Sequence, residues 1–248
     1  MISKNLHIKI ASKGHGGSEI QSMHKNPTTR LGSLGVLMGF LFVIITWNHR
    51  DIGSFQVIIA SMMFLFAAGI ADDLRFSISP KIRLLAVAIS SACMIYFSGL
   101  WLININTPIL EPILNITFFA ILFTIFAVTG VAHSINVVDG LNGLSLSIVI
   151  TIGLALSMMA SSLKDEFLVT MNLCIVMIAL GVLIFNFPFG KIFIGDAGAY
   201  SFGYVLAWSA ILMIYRNPEV SAWSVLLCFF WPVMETLYSI YRRIAKCC

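Results

Sequence analysis

The sequence predicts an all-α protein, a polytopic membrane helix bundle of about eight transmembrane helices with both termini cytoplasmic. Of the 248 residues, 59% are hydrophobic and only 10% are charged, and the mean hydropathy is +0.95. A soluble domain of this size carries about 25% charged residues. So much apolar surface has no place except against lipid, which excludes a soluble globular enzyme.

Eight apolar stretches supply the expected helices, because a bilayer core of roughly 30 Å needs about 20 apolar residues per span. They lie at about Leu34–Trp47, Phe55–Ala71, Ile82–Leu102, Ile113–His133, Leu144–Ser162, Phe167–Phe187, Tyr200–Tyr215 and Ala222–Ile240. We expect a polar, basic cytoplasmic segment at residues 1–30, a transmembrane domain with cytoplasmic loops at 31–241, and a short basic tail at 242–248.

The basic residues predict the orientation, because Lys and Arg concentrate in cytoplasmic loops. Only Arg50, Lys164 and Arg216 fall between the spans on one side. The other twelve of the 15 basic residues fall on the opposite side, which we assign to the cytoplasm: Lys4, Lys9, Lys13, Lys25, Arg30, Arg75, Lys81, Arg83, Lys191, Arg242, Arg243 and Lys246. Both termini are then cytoplasmic, which an even number of spans allows.

Four carboxylates from three distant segments fall on that same side: Asp72, Asp73, Asp139 and Asp196. Carboxylates at the ends of membrane helices are unfavourable unless they are paired, hydrated or bound to metal. Their common side therefore indicates a shared site.

The first of these segments carries the adjacent aspartates Asp72 and Asp73 at the C-terminal end of an expected helix. There the two charges face each other and the negative end of the helix dipole. A divalent cation would remove both penalties, and oxygen ligands suit Mg²⁺ or Mn²⁺. The alternative is a solvated loop in which the aspartates pair with Arg75, Lys81 or Arg83.

The second segment, Asn136–Leu144, has two glycines and several Asn and Asp side chains before a new helix. Backbone N–H groups at a helix N-terminus bind anions such as a diphosphate. The Asn and Asp side chains could hydrogen-bond a nucleobase or a ribose. The alternative is an ordinary Asp-Gly turn with a helix cap.

In the third segment, Phe185–Tyr200, Asp196 stands close to glycines just before a helix, so the backbone leaves a metal room to approach. Lys191 could meet a phosphate as a point charge. The alternative is a re-entrant or interfacial turn.

In their order and spacing these segments resemble the polyprenyl-phosphate N-acetylhexosamine-1-phosphate transferases (glycosyltransferase family 4), which include the phospho-N-acetylmuramoyl-pentapeptide transferase of peptidoglycan synthesis. A fourth segment, His24–Gly32, is similar to the first cytoplasmic loop of that family, and the match runs roughly from His24 to Arg243. The other matching residues are Asp72-Asp73 with Ser79-Pro80-Lys81, Asn136 with Asp139-Gly140-Leu141-Asn142-Gly143, and Asn186 with Lys191 and Gly195-Asp196-Ala197-Gly198.

The resemblance implies transfer of a sugar 1-phosphate from a UDP-sugar to undecaprenyl (polyprenyl) phosphate with release of UMP. It implies Mg²⁺, with Mn²⁺ as the alternative, and a site on the cytoplasmic face of the bacterial inner membrane. By position, Asp196 is the expected metal ligand, Asp72 activates the lipid phosphate, and Asp73 supports both metal and phosphate. All three are expected catalytic residues and candidate metal ligands.

The resemblance also implies the binding residues and the partners. The residues expected to hold the nucleotide are Asn136, Asp139, Asn142 and Asn186, and those expected to meet phosphates are Lys25, Arg30 and Lys191. The expected partners are the membrane, a polyprenyl phosphate lipid and a UDP-sugar, with no nucleic acid. Family members are often dimers, so a homodimer is an expected assembly.

The sequence departs from the family in three ways. Asn142 stands where a second Asp is frequent, Ala197 and Ala199 replace common Thr and Ser residues, and a first helix and a C-terminal His-rich loop have no counterpart. We therefore expect either a compact active transferase or a truncated, inactive relative. A transporter with carboxylate ion sites and a non-catalytic scaffold are the other classes to distinguish.

Overall fold

The structure is a computed structural model that describes residues 32–246 apart from 48–50, 75, 77, 104, 106, 108–109 and 189. Within these residues the protein is all-α, which confirms the predicted fold class. The helices are α1 Gly32–Thr46, α2 Ile52–Asp73, α3 Pro80–Ser98, α4 Glu111–Leu114, α5 Thr117–Val138, α6 Leu144–Ser162, α7 Glu166–Asn186, α8 Gly195–Arg216, α9 Ala222–Cys228 and α10 Phe230–Lys246.

Six of the described helices, α2, α3, α5, α6, α7 and α8, are long and apolar enough to cross a membrane. The chain is therefore a multi-pass membrane protein. Two of the eight expected spans differ in form. Helix α1 has only 15 residues, which corresponds to about 22 Å, and the expected last span is a pair of helices, α9 and α10, bent by 73°.

Pro232 accounts for the bend between α9 and α10. A proline ring inside a helix clashes with the carbonyl of the residue four positions earlier and removes one hydrogen bond. That earlier residue is Cys228, the last residue of α9. Pro232 therefore lies in the first turn of α10, where the missing N–H is tolerated.

Helix α8 forms the centre of the bundle, because almost all of its residues are buried, and α2 and α5 pack directly against it. Two glycines allow these contacts. A Cβ atom built on Gly69 of α2 would lie 2.4 Å from the Cα of Ala197, and one on Gly203 of α8 would lie 2.7 Å from the Cα of Ala132. Backbones this close leave no room for a side chain.

Charged side chains lie at both ends of the bundle. We call the end where α2 finishes and α8 begins the carboxylate end. At the opposite end, Arg216 Nε donates to Asp165 Oδ2 at 2.7 Å and Arg216 Nη1 lies 3.0 Å from Asp51 Oδ2. Burial by itself would raise the pKa of Asp165. The hydrogen bonds that its carboxylate accepts from Arg216 and from the Leu168 N–H outweigh this effect and hold the pKa below its ordinary value. This end is thus held by ion pairs that join α2, α7 and α8.

A buried polar network joins α2, α3 and α8 in the middle of the bundle. The Tyr204 hydroxyl donates to the Ser90 carbonyl at 2.9 Å and shares a hydrogen bond of 2.8 Å with the Ser61 hydroxyl. The Ser90 hydroxyl in turn accepts from the Leu65 N–H at 3.1 Å. All of these groups are buried, and the Ser61 hydroxyl also donates to the Ile58 carbonyl at 2.9 Å, so the network satisfies its polar atoms away from water.

We expect Tyr204→Phe to lower the free energy of unfolding by about 1–2 kcal/mol, because the buried network loses the two hydrogen bonds of the Tyr204 hydroxyl. Thermal unfolding of the purified protein in detergent measures the effect. Tyr238→Phe is the matched control, since Tyr238 is 59% exposed on α10. Equal melting temperatures for Tyr204→Phe and the unmodified protein would contradict the assignment of this network as stabilising.

Candidate active site

Two carboxylates from different helices meet one arginine at the carboxylate end. Asp72 lies in the last turn of α2, Asp196 in the first turn of α8, and Arg83 in the first turn of α3. Arg83 Nη1 is 3.3 Å from Asp72 Oδ2 and makes a second, shorter contact with Asp196 Oδ2. The side chains of Asp72 and Asp196 are only 17% and 18% exposed, so water screens these charges weakly.

The loop between α2 and α3 brings Arg83 to this position. The Ile78 N–H donates to Asp72 Oδ1 at 2.9 Å, which folds the loop back onto the end of α2. Ser79 then caps α3 by accepting from the Ile82 N–H at 3.4 Å, and Pro80 occupies the first helical position. A Ser-Pro pair is typical of a helix start, so the sequence sets where the first turn of α3 begins.

Asp73, beside Asp72, has a different environment. Its two carboxylate oxygens accept from the N–H groups of Asp196 and Ala197, at 2.9 and 3.2 Å. A carboxylate at a helix N-terminus is favoured by the helix dipole. Gly69 lies one turn earlier on the same face of α2 and allows the close approach to Ala197. In this geometry Asp73 holds the start of α8, and thereby Asp196, against α2.

Asn186 fastens the second predicted segment to the third. Its Oδ1 accepts from the Gly143 N–H at 2.5 Å and its Nδ2 donates to the Ile192 carbonyl at 2.9 Å. The side chain is buried, and the backbone occupies both of its polar atoms. This arrangement favours a positioning role for Asn186, although the nucleotide contact expected from the resemblance stays a prediction.

We expect Asn186→Leu to increase the amide exchange rates of residues 139–143 and 190–194 about tenfold or more, because both loops lose an anchor. Hydrogen–deuterium exchange followed by mass spectrometry measures these rates. Asn115→Leu is the control, since Asn115 is exposed near the opposite end. Exchange rates that stay the same in both loops would contradict this role of Asn186.

The remaining predicted binding residues are distributed around these two loops. Asp139 accepts a hydrogen bond from the Ser145 hydroxyl, Asn142 Nδ2 lies 3.5 Å from the Pro188 carbonyl, and Asn136 is half-buried in the last turn of α5. Asn142 Oδ1 is buried and has no hydrogen-bond partner among the described residues. Lys191 is exposed in the loop before α8. Lys25 and Arg30, with His24, lie outside the described residues.

Three residues at this end were missing from the predicted site: Arg83, His133 and Tyr200. Arg83 appeared only as one of three possible ion-pair partners. His133, the last residue of the expected span Ile113–His133, lies within α5, and its ring is 4.9 Å from the Tyr200 ring, centroid to centroid. The signal for both is helical spacing, since His133 precedes Asn136 by three residues and Tyr200 follows Asp196 by four, which places each pair on one helix face.

The residues present fit a cation that is shared with a substrate. Across the described part of the chain, no three His, Cys, Asp or Glu side chains converge to hold a metal ion by themselves. Mg²⁺ in phosphate chemistry commonly takes one or two carboxylates and completes its coordination with water and substrate oxygens. Asp72 and Asp196, which already share one positive group, supply such a pair of carboxylates.

Comparison with known proteins identifies the family. The sequence model of "Glycosyl transferase family 4" matches residues 55–214, which include Asp72, Asp73, Arg83 and Asp196. A "Probable undecaprenyl-phosphate N-acetylglucosaminyl 1-phosphate transferase" of Bacillus subtilis (strain 168) is 26% identical over 247 residues, covering 98% of this chain and 67% of the relative.

The alignments with two further relatives cover a smaller share of each relative's length. An "Undecaprenyl-phosphate alpha-N-acetylglucosaminyl 1-phosphate transferase" of Yersinia pestis is 27% identical, over 90% of this chain and 62% of the relative. A "Phospho-N-acetylmuramoyl-pentapeptide-transferase" of Leuconostoc citreum (strain KM20) is 32% identical, over 58% and 44%. The alignments thus span between 44% and 67% of the lengths of these three relatives. With the family match covering more than half of the chain and including the carboxylate cluster, the protein belongs to glycosyl transferase family 4.

Proposed function

We propose that this protein transfers a sugar 1-phosphate of the N-acetylhexosamine type from a UDP-sugar to undecaprenyl phosphate, with release of UMP. The reaction is the first membrane step of cell-surface polysaccharide synthesis, at the cytoplasmic face of a bacterial inner membrane. The observation that carries the proposal is the convergence of Asp72, Asp196 and Arg83 at one end of the bundle. The names of the relatives support the same reaction.

The chemistry demands positive charge at this point, because two anionic phosphates must approach each other. An oxygen of the lipid phosphate attacks the β-phosphorus of the UDP-sugar, and the bond from that phosphorus to the oxygen of the α-phosphate breaks, releasing UMP. Catalysis of this kind is mainly positioning and electrostatic stabilisation. When bound, Mg²⁺ (or Mn²⁺) would supply positive charge to the diphosphate.

The residues of the cluster then have separate roles in the proposal. Asp72 and Asp196 would hold the cation next to the diphosphate. Asp72 also positions the lipid phosphate or accepts its proton. Asp73 keeps Asp196 in place through the N–H groups at the start of α8. Arg83 provides donors for the phosphates.

The two loops joined by Asn186 form the proposed nucleotide end of the site. Asn136, Asp139 and Asn142 offer amide and carboxylate groups for the base and ribose, and the buried Asn142 Oδ1 is an acceptor with no partner among the described residues. Lys191, exposed on the adjoining loop, is available for a phosphate.

The lipid substrate explains why such a site lies at the ends of membrane helices. Helix α10 packs on α5 and leaves large apolar side chains exposed, among them Trp231 and Tyr238. A polyprenyl chain could follow this apolar face within the bilayer while its phosphate reaches the carboxylate end. Exposed Arg242 and Arg243 at the end of α10 suit a cytoplasmic membrane surface.

Transport by intramembrane carboxylates is the less favoured function. Transporter ion sites lie near the bilayer midplane, at interrupted helices. Asp72 and Asp196 lie instead in the terminal turns of two long helices. An inactive family member is the second candidate, because Asn142 stands where a second Asp is frequent in the family and brings no negative charge to the site.

The test is a UMP-release assay on the purified protein in detergent with undecaprenyl phosphate, Mg²⁺ and a panel of UDP-N-acetylhexosamines. Release that needs both the lipid and the metal, and that is strongest for one sugar, would support the transferase and identify its donor. A folded protein that binds lipid and nucleotide but releases no UMP would instead support the inactive family member.

A further inference from the structure

Arg83 occupies the space between the two carboxylates expected to hold a metal. A single guanidinium nitrogen, Nη1, contacts both Asp72 Oδ2 and Asp196 Oδ2. The other oxygen of Asp72 already accepts from the Ile78 N–H. The oxygens that face each other across the cluster are therefore the ones that Arg83 engages.

A metal ion and Arg83 cannot use these oxygens together. Mg²⁺ binds carboxylate oxygens at about 2.0–2.1 Å. An ion that bound both Oδ2 atoms would therefore take the position between them that Nη1 occupies. The positive charge of Arg83 would also repel a divalent cation across a poorly screened distance. Metal entry must therefore turn the guanidinium away from at least one of the two carboxylates.

Arg83 has unused donors to take to a new partner. A guanidinium carries five N–H donors, and Arg83 Nε is buried with no hydrogen-bond partner among the described residues. Once released from a carboxylate, the planar group matches the geometry of a phosphate, which arginine binds through paired hydrogen bonds.

We propose that Arg83 is a resident counter-cation of the carboxylate cluster, which a divalent metal displaces and which then binds a substrate phosphate. Before metal binds, Arg83 pairs with both Asp72 and Asp196, offsets one of their two negative charges and joins α2, α3 and α8. Metal binding and phosphate binding are thereby coupled through one side chain. The phosphate half of this inference rests on the proposed function, whereas the metal half does not.

The metal half is tested by titrating the purified protein in detergent with Mn²⁺ and following free Mn²⁺ by electron paramagnetic resonance. We expect Arg83→Met to bind Mn²⁺ at least about tenfold more tightly, because the competing charge is gone. Arg83→Lys should show an intermediate gain, since lysine keeps the positive charge but carries it on a shorter side chain that does not reach both carboxylates as Arg83 does. Lys81→Met, which removes an exposed cation from the same turn of α3, should leave the affinity nearly unchanged.

The phosphate half is tested by binding of UMP at saturating Mn²⁺, measured by calorimetry on the same proteins. We expect UMP to bind about tenfold more weakly to Arg83→Met, the opposite direction to the metal effect. A residue that only stabilised the fold would weaken both. Should Arg83→Met fail to fold, Arg83→Lys carries the test, with tighter Mn²⁺ and weaker UMP binding as the expected pair.

The outcomes separate this inference from the proposed function. Mn²⁺ affinity that is unchanged or weaker in both Arg83 variants would overturn the inference, even if the protein releases UMP in turnover. A protein without turnover whose Arg83 variants still bind Mn²⁺ more tightly would retain the metal half and lose the proposed function. UMP that binds Arg83→Met as tightly as it binds the unmodified protein, or that fails to bind the unmodified protein at all, would overturn the phosphate half.

Discussion

Asp196→Asn is expected to lower the rate of UMP release at least about 10²–10³-fold while leaving the protein folded. The amide has nearly the shape of the carboxylate but no charge, so it can neither pair with Arg83 nor hold a divalent cation strongly. The backbone N–H of residue 196 remains available to Asp73, so the start of α8 stays attached to α2. Steady-state kinetics and thermal unfolding of the same preparation measure the two effects.

The matched control for this substitution lies at the opposite end of the bundle. Asp165 also pairs with an arginine, Arg216, at 2.7 Å, but it is far from the proposed chemistry. We expect Asp165→Asn to lower the melting temperature modestly and to leave the rate per folded molecule unchanged. If Asp196→Asn retained more than about a tenth of the rate, the proposed electrostatic role of this carboxylate would be contradicted.

Gly69→Ala is expected to lower both stability and turnover, because one added methyl group would force two helix backbones apart. The new Cβ would lie 2.4 Å from the Cα and 2.7 Å from the backbone nitrogen of Ala197. Overpacking of this kind costs about 1–3 kcal/mol of folding free energy. The shift would also move the N-terminus of α8 away from Asp73, and a displacement of about 1 Å at a reacting centre can lower the rate about 10²-fold.

Gly130→Ala is the control for the glycine substitution. Gly130 lies in α5, and a Cβ built there meets no atom within 4 Å. Alanine also favours a helix more than glycine does, by about 1 kcal/mol. We therefore expect unchanged or slightly higher stability and normal turnover for Gly130→Ala. Equal behaviour of the two variants would show that the contact between Gly69 and Ala197 does not position the site.

Most of the fold follows from hydropathy, because each long apolar run must form its own backbone hydrogen bonds in lipid. The runs that became α2, α3, α5, α6, α7 and α8 were predicted to within a few residues at each end. The run after Ala222 was expected to be one span, since its composition is apolar enough. The break between α9 and α10 depends on Pro232 and on the packing of α10 against α5. A hydropathy average contains neither of these effects.

The convergence of Asp72, Asp73 and Asp196 could also be predicted, because alternating helices bring their ends to a common side. The contacts that each carboxylate makes could not be predicted. Adjacent residues on a helix end point about 100° apart, so Asp72 faces Arg83 while Asp73 faces the N-terminus of α8. The choice of Arg83 over Lys81 depends on the rotation of α3, which tertiary packing sets.

Transfer of a sugar 1-phosphate is tested by following both phosphorus atoms of the donor. UDP-N-acetylglucosamine, or whichever donor the panel selects, is prepared with radioactive phosphorus at either the α- or the β-phosphate and incubated with protein, Mg²⁺ and undecaprenyl phosphate. If the protein transfers a sugar 1-phosphate, β-label moves into the lipid extract and α-label stays in water-soluble UMP, and Asp196→Asn abolishes the transfer. Both labels remaining in water-soluble nucleotide, with a folded protein and all substrates present, would contradict the account.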